Sequence, residues 1–245
     1  MESVKTKGLI IKTTDYGEAN RMIKVFTTDF GIVSAGVYGA RSKKKGLGAS
    51  SRIFSWGDFL LTGRDGRWRA DDIAVREGFY PLCEDIVLLA LAVYFAELAE
   101  TASGENNPDE SVLRLLLNTI YAMCYNGVEP EAAKMVYELR LAECGGYLPD
   151  IDGCMACGST DSEMWFDIPR GGLLCASCHR PDSIKVTPAV IAALRFILSA
   201  DDKKIFAFRA DKPTTELLSG LTEKYISEHL DRSFKSLDYY KQIKI

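Results

Sequence analysis

Four cysteines form two pairs whose spacing is typical of a structural metal site. Two residues separate Cys154 from Cys157 and Cys175 from Cys178, and 17 residues lie between the pairs. Two residues between cysteines allow a tight turn to direct both thiolates at one ion. Two such turns supply the four tetrahedral ligands of a closed zinc site. The spacing therefore predicts one structural Zn²⁺ per chain, held by a short irregular insert of about residues 149–181.

Other interpretations of the cysteines are two redox disulfides or unligated surface thiols. His179 could replace one cysteine as a ligand, but four thiolates already fill a tetrahedral site, so we expect it to be a bystander. A filled site leaves no position for substrate, which favours a structural zinc over a catalytic one. Burial as small apolar side chains is expected for the other cysteines, Cys83, Cys124 and Cys144.

A second group of residues has the chemistry to bind phosphate. Cations that follow a phosphate backbone, close to aromatic rings on which bases stack, are typical of proteins that bind single-stranded nucleic acid. The candidate DNA-binding residues are Arg41, Lys43, Lys44, Lys45, Arg52, Arg64, Arg67, Trp68 and Arg69. The alternative is a solvated charged loop with its aromatic residues in the core. For Lys43 to Lys45 we favour phosphate contact, and for Trp56 we favour the core.

The charge of the chain is divided unevenly. Residues 1–76 hold 14 Lys and Arg against 8 Asp and Glu, a net charge of +6, whereas residues 77–245 hold 16 against 26, a net charge of −10. The total of −4 conceals this asymmetry. A basic segment on an acidic chain indicates a polyanionic partner for the basic segment.

Sequence signatures of common enzymes are absent. There is no Walker A motif, dinucleotide-binding glycine motif, HExxH or GxSxG, and the chain has only two histidines. A protein that is not an enzyme is therefore expected. A nuclease with Mg²⁺ held by Asp58, Asp71 or Asp72 is a weaker alternative, because adjacent aspartates are usually turn or surface residues.

The cytoplasm is the expected compartment. Residues 1–7 are polar, so no signal peptide is predicted, and an odd count of seven cysteines argues against a disulfide framework. The longest apolar run, residues 86–96, is about half of the roughly 20 residues that a membrane span needs. It favours a buried helix.

Five segments in the first 76 residues predict a small closed barrel. They are rich in β-branched and aromatic residues and are separated by turn signals, including the Asp65-Gly66 pair. An OB-like barrel is favoured, and an SH3-like barrel would fit the same pattern. The predicted strands are 4–12, 21–28, 32–38, 53–62 and 68–76.

From Tyr80 onward the pattern is helical. Prolines precede five helical segments, Asn107 and Thr187 are expected N-caps, and Gly145-Gly146 is an expected helix end. An apolar stripe from Leu217 to Leu237 predicts one long final helix. The predicted fold is α+β with several domains: an OB-like barrel at 1–78, and an α-helical domain at 79–245 into which the zinc module is inserted.

Several of these segments together resemble the RecO recombination mediators of bacteria. The resemblance covers nearly the whole chain, and its order and spacing are more specific than any single motif. The segments are Asp15–Asn20, Thr27–Gly31, Gly39–Lys43, Tyr94–Leu98, Tyr137–Leu141, Gly146–Pro149 and the four-cysteine insert.

This resemblance implies a nucleoid-associated DNA repair protein that binds single- and double-stranded DNA and anneals complementary strands. It implies RecR and the acidic tail of the single-stranded-DNA-binding protein as partners, and RecA as an indirect one. The tail would need a basic, apolar pocket, for which Lys134, Tyr137 and Arg140 are candidates; solvated helix charges are the alternative. A structural adaptor that does not bind DNA is the competing function.

Overall fold

The computed structural model describes residues 2–41, 47–64, 67–161, 163–202 and 204–244. The chain divides into two compact units. The first contains Met1–Ile120 and Ser236–Ile245, and the second contains Tyr121–Lys235.

Five strands of the first unit form a closed barrel. They are β1 (Glu2–Tyr16), β2 (Asn20–Thr27), β3 (Gly31–Val37), β4 (Trp56–Arg64) and β5 (Arg67–Glu77). The order around the barrel is β1-β2-β3-β5-β4; every pair is antiparallel except β3 with β5, which run parallel. The predicted five-stranded OB-like barrel is confirmed, and closure leaves no free sheet edge.

Alternation of side chains along the strands fills the barrel and exposes its outer face. In β3, Val33, Ala35 and Val37 are buried, whereas Ser34 points to solvent. Because successive side chains point to opposite faces, a residue paired with an inward position in the next strand is also inward. The core continues in this way through Ile10, Ile23, Val25, Phe59, Leu61, Ala70 and Ile73.

Eight helices are described in the two units. They are α1 (Leu47–Ser50), α2 (Pro81–Glu84), α3 (Ile86–Ser103), α4 (Glu110–Tyr125), α5 (Pro130–Cys144), α6 (Pro188–Ser199), α7 (Lys212–His229) and α8 (Lys235–Ile243). The Thr187 cap is confirmed, since its hydroxyl accepts the N–H of Val190 at 3.3 Å. The helix end at Gly145 is confirmed as well.

Two helix predictions are wrong. Helix α4 is preceded by Asp109, whose carboxylate accepts the N–H of Val112 at 3.0 Å, so this residue takes the position expected of Asn107. The long final helix is two helices, because α7 ends at His229 and Asp231 has a positive φ of 47° that an α-helix excludes. The apolar stripe continues across this break into Phe234 and Leu237 of the chain beyond it.

Within the first unit, α3 is the core helix. Of the helices described, α3 alone is long and apolar enough to cross a membrane by length and composition, and half of it is buried inside the structure. Tyr94 and Phe95 are completely buried. Leu237 and Tyr240 of α8 are buried in the same unit, and the Ser236 hydroxyl donates to the carboxylate of Glu97.

The insert is more regular than its sequence suggests. Four short strands, β6 (Asp150–Cys154), β7 (Met164–Asp167), β8 (Gly172–Cys175) and β9 (Ile184–Val186), form a sheet of order β6-β8-β7-β9. An irregular insert was the wrong expectation, because buried side chains in β7 and β8 pack this small sheet. Gly171, with a φ of 67°, lies in the turn between β7 and β8.

Two further expectations concern the burial of the remaining cysteines and the ranges of the domains. Cys83 and Cys144 are exposed and Cys124 is half-buried, so the prediction that all three are buried is wrong. The predicted domain ranges, 1–78 and 79–245, stay a prediction; the compact units place α2, α3 and α8 together with the barrel.

Replacing Gly31 with alanine is expected to lower the free energy of unfolding by about 3 kcal/mol. Gly31 has a φ of 65°, and a Cβ atom there would lie 2.4 Å from the carbonyl oxygen of Asn107. Gly127→Ala is the control, because Gly127 has a φ of 63° but faces open space. Urea denaturation should show a loss of only about 1 kcal/mol for the control; equal losses would contradict the steric explanation.

Candidate metal centre and nucleic-acid interface

The four cysteines of the insert lie close enough to share one metal ion. Their Sγ atoms are all within 4.8 Å of one another, and those of Cys157 and Cys175 are 3.7 Å apart. Four thiolates at about 2.3 Å from a tetrahedral zinc ion lie about 3.8 Å from each other, so the spacing fits the ion. In the part of the chain that the structure describes, no other group of three or more His, Cys, Asp or Glu has such an arrangement.

Two backbone turns position the thiol groups. After Cys154, the N–H of Gly158 donates to the Cys154 carbonyl at 2.7 Å, and Gly158 has a positive φ of 76°, which glycine adopts without strain. After Cys175, the N–H groups of Cys178 and His179 donate to the Cys175 carbonyl at 3.0 and 2.9 Å. Cys154 and Cys175 end the parallel strands β6 and β8, so the sheet brings both turns together.

The thiols influence each other's ionisation. Burial opposes ionisation of Cys154, but hydrogen bonds from the backbone of Cys175, Ala156 and Cys157 lower its pKa to about 6. Interactions with the thiols of Cys175 and Cys157 raise the pKa of Cys178 to about 12. Four thiolates in so small a volume therefore need a cation to balance their charge.

His179 lies outside the four-sulfur cluster. Its Nδ1 is 2.8 Å from the Ala176 carbonyl oxygen, and its ring stacks on Trp165 with centroids 4.2 Å apart. The Lys185 ammonium lies 5.0 Å from the same indole ring. Packing of the sheet surface thus accounts for His179.

Two of the predicted DNA-binding arginines are on the outer face of β5. Arg67 is exposed, and Arg69 is exposed while its Nε lies 2.5 Å from Asp71. Arg69 pairs with Gly36 of β3 in register, which places it on the outer face. Trp68 points the other way, packs against the barrel core and lies 5.9 Å from the Phe30 ring; Trp56 is half-buried.

The other arginines have contacts within the protein. The Arg41 guanidinium donates to the carbonyl oxygens of Gly17 and Glu18, both at 2.7 Å. Arg52 lies over the Tyr80 ring at 4.8 Å and contacts Cys83. Lys43, Lys44 and Lys45, together with the side chain of Arg64, lie outside the described residues.

Two of the three aspartates considered for Mg²⁺ are paired with arginines. Arg76 binds Asp58 through both carboxylate oxygens, and this hydrogen bonding lowers the pKa of Asp58. Asp71 pairs with Arg69. Nothing in these contacts favours the nuclease alternative.

The predicted partner-binding residues do not line a pocket at the surface. Lys134 and Tyr137 are 1% and 0% exposed, so the structure corrects this part of the prediction. Lys134 pairs with Glu138 on its own helix and with Glu223 on α7, at 3.1 and 3.3 Å. Arg140 donates to the Leu198 carbonyl and pairs with Glu143 and Asp202. These cations stabilise the second unit internally.

An apolar surface that sequence reasoning missed lies on the barrel. Tyr16, Met22 and Tyr38 are exposed near the end of the barrel at which β1 and β3 finish and β2 begins. We call these three residues the barrel patch. Strand alternation could have revealed it, because Tyr38 follows the outward positions 34 and 36, and Tyr16 follows the outward position 14.

Comparison with known proteins gives consistent matches along the chain. The family model described as "Recombination protein O N terminal" matches residues 1–68, and "Recombination protein O C terminal" matches residues 83–238. "DNA repair protein RecO" of Alkaliphilus metalliredigens is 33% identical over 98% of this chain and 99% of that protein. The protein of the same name from Acetivibrio thermocellus is 30% identical over 99% of this chain and 98% of that protein.

Proposed function

The chain belongs to the RecO family of DNA repair proteins, and from this membership we propose that it is a recombination mediator. It binds single- and double-stranded DNA and anneals complementary strands. With RecR, it helps to load RecA onto strands coated by the single-stranded-DNA-binding protein. It performs this task without catalysing a chemical reaction on DNA.

The observation that carries DNA binding is the basic outer surface of a closed barrel in a chain of this family. Residues 1–76, which contain nearly all of the barrel, have a net charge of +6, and Lys12, Arg67 and Arg69 are exposed on it. Lysine and arginine neutralise phosphates whatever the base sequence. A mediator needs this property, because it must hold any strand while the bases remain available for pairing.

We also propose that the four cysteines hold one Zn²⁺ with a structural role. Four thiolates form a closed tetrahedral site that leaves no position for substrate. The ion would link β6 and β8 through Cys154 and Cys175. Native mass spectrometry of freshly purified, reduced protein should show one zinc per chain.

Arg67→Ala with Arg69→Ala is expected to weaken single-strand binding and to reduce its salt dependence. Each lost phosphate contact should lower the slope of log K against log salt by about 0.7. Arg76→Ala is the matched control, since Arg76 is exposed at the opposite end of the same strand and, like Arg69, is paired with an aspartate. Fluorescence anisotropy at several salt concentrations measures both. An unchanged slope in the double variant would place the phosphate path elsewhere.

The mediator function itself is tested by strand annealing. Two complementary fluorescent oligonucleotides are coated with the single-stranded-DNA-binding protein and mixed with the full chain, with and without RecR. Annealing supports the proposal. Absence of annealing and of DNA binding at low salt, with RecR still bound, would favour the structural adaptor instead.

A further inference from the structure

The barrel patch consists of three large side chains that remain exposed on one surface of the sheet. Tyr16, Met22 and Tyr38 are 36%, 40% and 51% exposed. Single exposed apolar residues are ordinary, but a contiguous group on one sheet surface indicates a contact site. What the group contacts depends on its shape and on the charges beside it.

Strand register brings these residues onto one surface. Met22 of β2 is opposite Gly36 of β3, and Thr14 of β1 is opposite Met22, so these positions share the outer face. A Cβ atom at Gly36 would lie 3.4 Å from the Tyr16 hydroxyl and 3.4 Å from Cε2 of Tyr38. The two tyrosines therefore close over a glycine, where the missing side chain lets aromatic groups approach the backbone.

Hydrogen bonds fix the turns that follow the two tyrosines. The N–H of Gly39, next to Tyr38, donates to the Asn20 side chain at 3.0 Å, and the N–H of Arg41 donates to the Ala19 carbonyl at 3.1 Å. The Arg41 guanidinium adds two bonds to the turn that follows Tyr16. Arg41 is thus a positioning residue for the barrel patch, and the aromatic surface is preorganised.

The charges around the patch suit a strand of nucleic acid. Arg69 is in register with Gly36, beside the tyrosines, and Arg67 precedes it on the same face of β5. Strands β2 and β3 contain no acidic residue, and two carboxylates near the patch, Asp15 and Asp71, are paired with Arg21 and Arg69. Aromatic rings flanked by arginines match an alternation of flat bases and phosphates, whereas an acidic peptide would offer no flat partner for the rings.

We propose that the barrel patch is a base-stacking platform for single-stranded nucleic acid, in which unpaired bases stack on Tyr16 and Tyr38 while Arg67 and Arg69 contact the backbone. This inference rests on the proposed DNA binding and adds its strand preference. In a duplex the faces of internal bases are covered by their neighbours, so the platform can accept a base only from an unpaired segment. The charged residues, by contrast, serve both forms of DNA.

The test compares binding of three probes of equal length: a single strand, a duplex and a single strand with consecutive abasic sites. Tyr16→Ala with Tyr38→Ala should weaken binding of the intact single strand by about tenfold or more, given the usual strength of base–aromatic stacking. Duplex and abasic binding should not change, and neither should the salt slope. The double Tyr→Phe variant should bind as the unaltered protein does, because phenylalanine retains the ring.

Tyr239→Ala is the matched control, since Tyr239 is a tyrosine of similar exposure, 47%, on α8. Equal weakening of intact and abasic strands would overturn stacking, as would unchanged binding of the intact strand. In that second case the unaltered protein still binds DNA, so the proposed function stands. If the unaltered protein binds none of the three probes at low salt, the proposed function itself fails.

Discussion

Cys154→Ser is expected to abolish binding of the proposed Zn²⁺ by the four-cysteine cluster and to unfold the sheet formed by β6 to β9. The sheet consists of strands of three to five residues, which bury too little apolar area to fold without further support. Structural zinc supplies about 10–16 kcal/mol of apparent binding free energy in zinc-finger peptides at neutral pH. This is the largest effect that we expect of any single substitution in the chain.

Native mass spectrometry and hydrogen exchange measure this loss. The variant should carry no zinc, and the amides of β7 and β8 should lose their protection. Cys83→Ser is the control, because Cys83 is exposed and lies outside the cluster; it should retain one zinc. A Cys154→Ser protein with bound zinc and protected amides would show that the metal does not support the sheet.

Lys134→Met is expected to lower the free energy of unfolding by about 3–5 kcal/mol. Its ammonium lies 3.1 Å from Glu138, whose side chain is completely buried, and the Thr222 hydroxyl donates to that carboxylate at 2.7 Å. Desolvation opposes the charge on Lys134, but Glu138, Glu223 and Glu131 together raise its pKa. Without the ammonium, a buried carboxylate remains without its main counter-charge.

Denaturation in urea at several pH values measures the effect. The loss should shrink at low pH, because protonation of Glu138 removes the uncompensated charge. Lys212→Ala is the control: Lys212 forms a pair with the same spacing to Glu216, but both side chains are exposed, so less than about 0.5 kcal/mol is expected. Lys134→Met with Glu138→Leu should recover most of the stability. A single variant as stable as the control would contradict a supporting role of the pair.

Local patterns were sufficient to predict the barrel and the clustering of the four cysteines. The alternation of β3 and the turn signals between strands depend on neighbours in sequence, and so does the spacing of Cys154 to Cys157. The strand bounds differ from the prediction by a few residues. The small sheet around the cysteines was missed because strands of three or four residues carry too few positions to show a period.

The predictions were wrong or incomplete where contacts between residues distant in sequence determine the structure. A lysine in a helical segment is usually exposed to solvent. Lys134 is buried because α7 packs beside it and brings Glu223 within 3.3 Å, a contact that the local sequence does not reveal. The apolar stripe of α7 continues beyond its end, so its period gave no sign of the break at Asp231. Tyr16 and Tyr38 lie apart in sequence, and the register of β1 to β3 is what brings them together.

The placement of α8 has a consequence for synthesis of the protein. The second unit is one continuous segment, 121–235, and all of it has emerged from the ribosome before Ser236 does. The first unit begins the chain but obtains Leu237 and Tyr240, two of its buried residues, only afterwards. While the cysteine-bearing unit is being synthesised, the rest of the first unit therefore lacks these two residues. The apolar surface that Leu237 and Tyr240 cover is exposed during this time. The part of the protein translated first is in this sense the last to be completed.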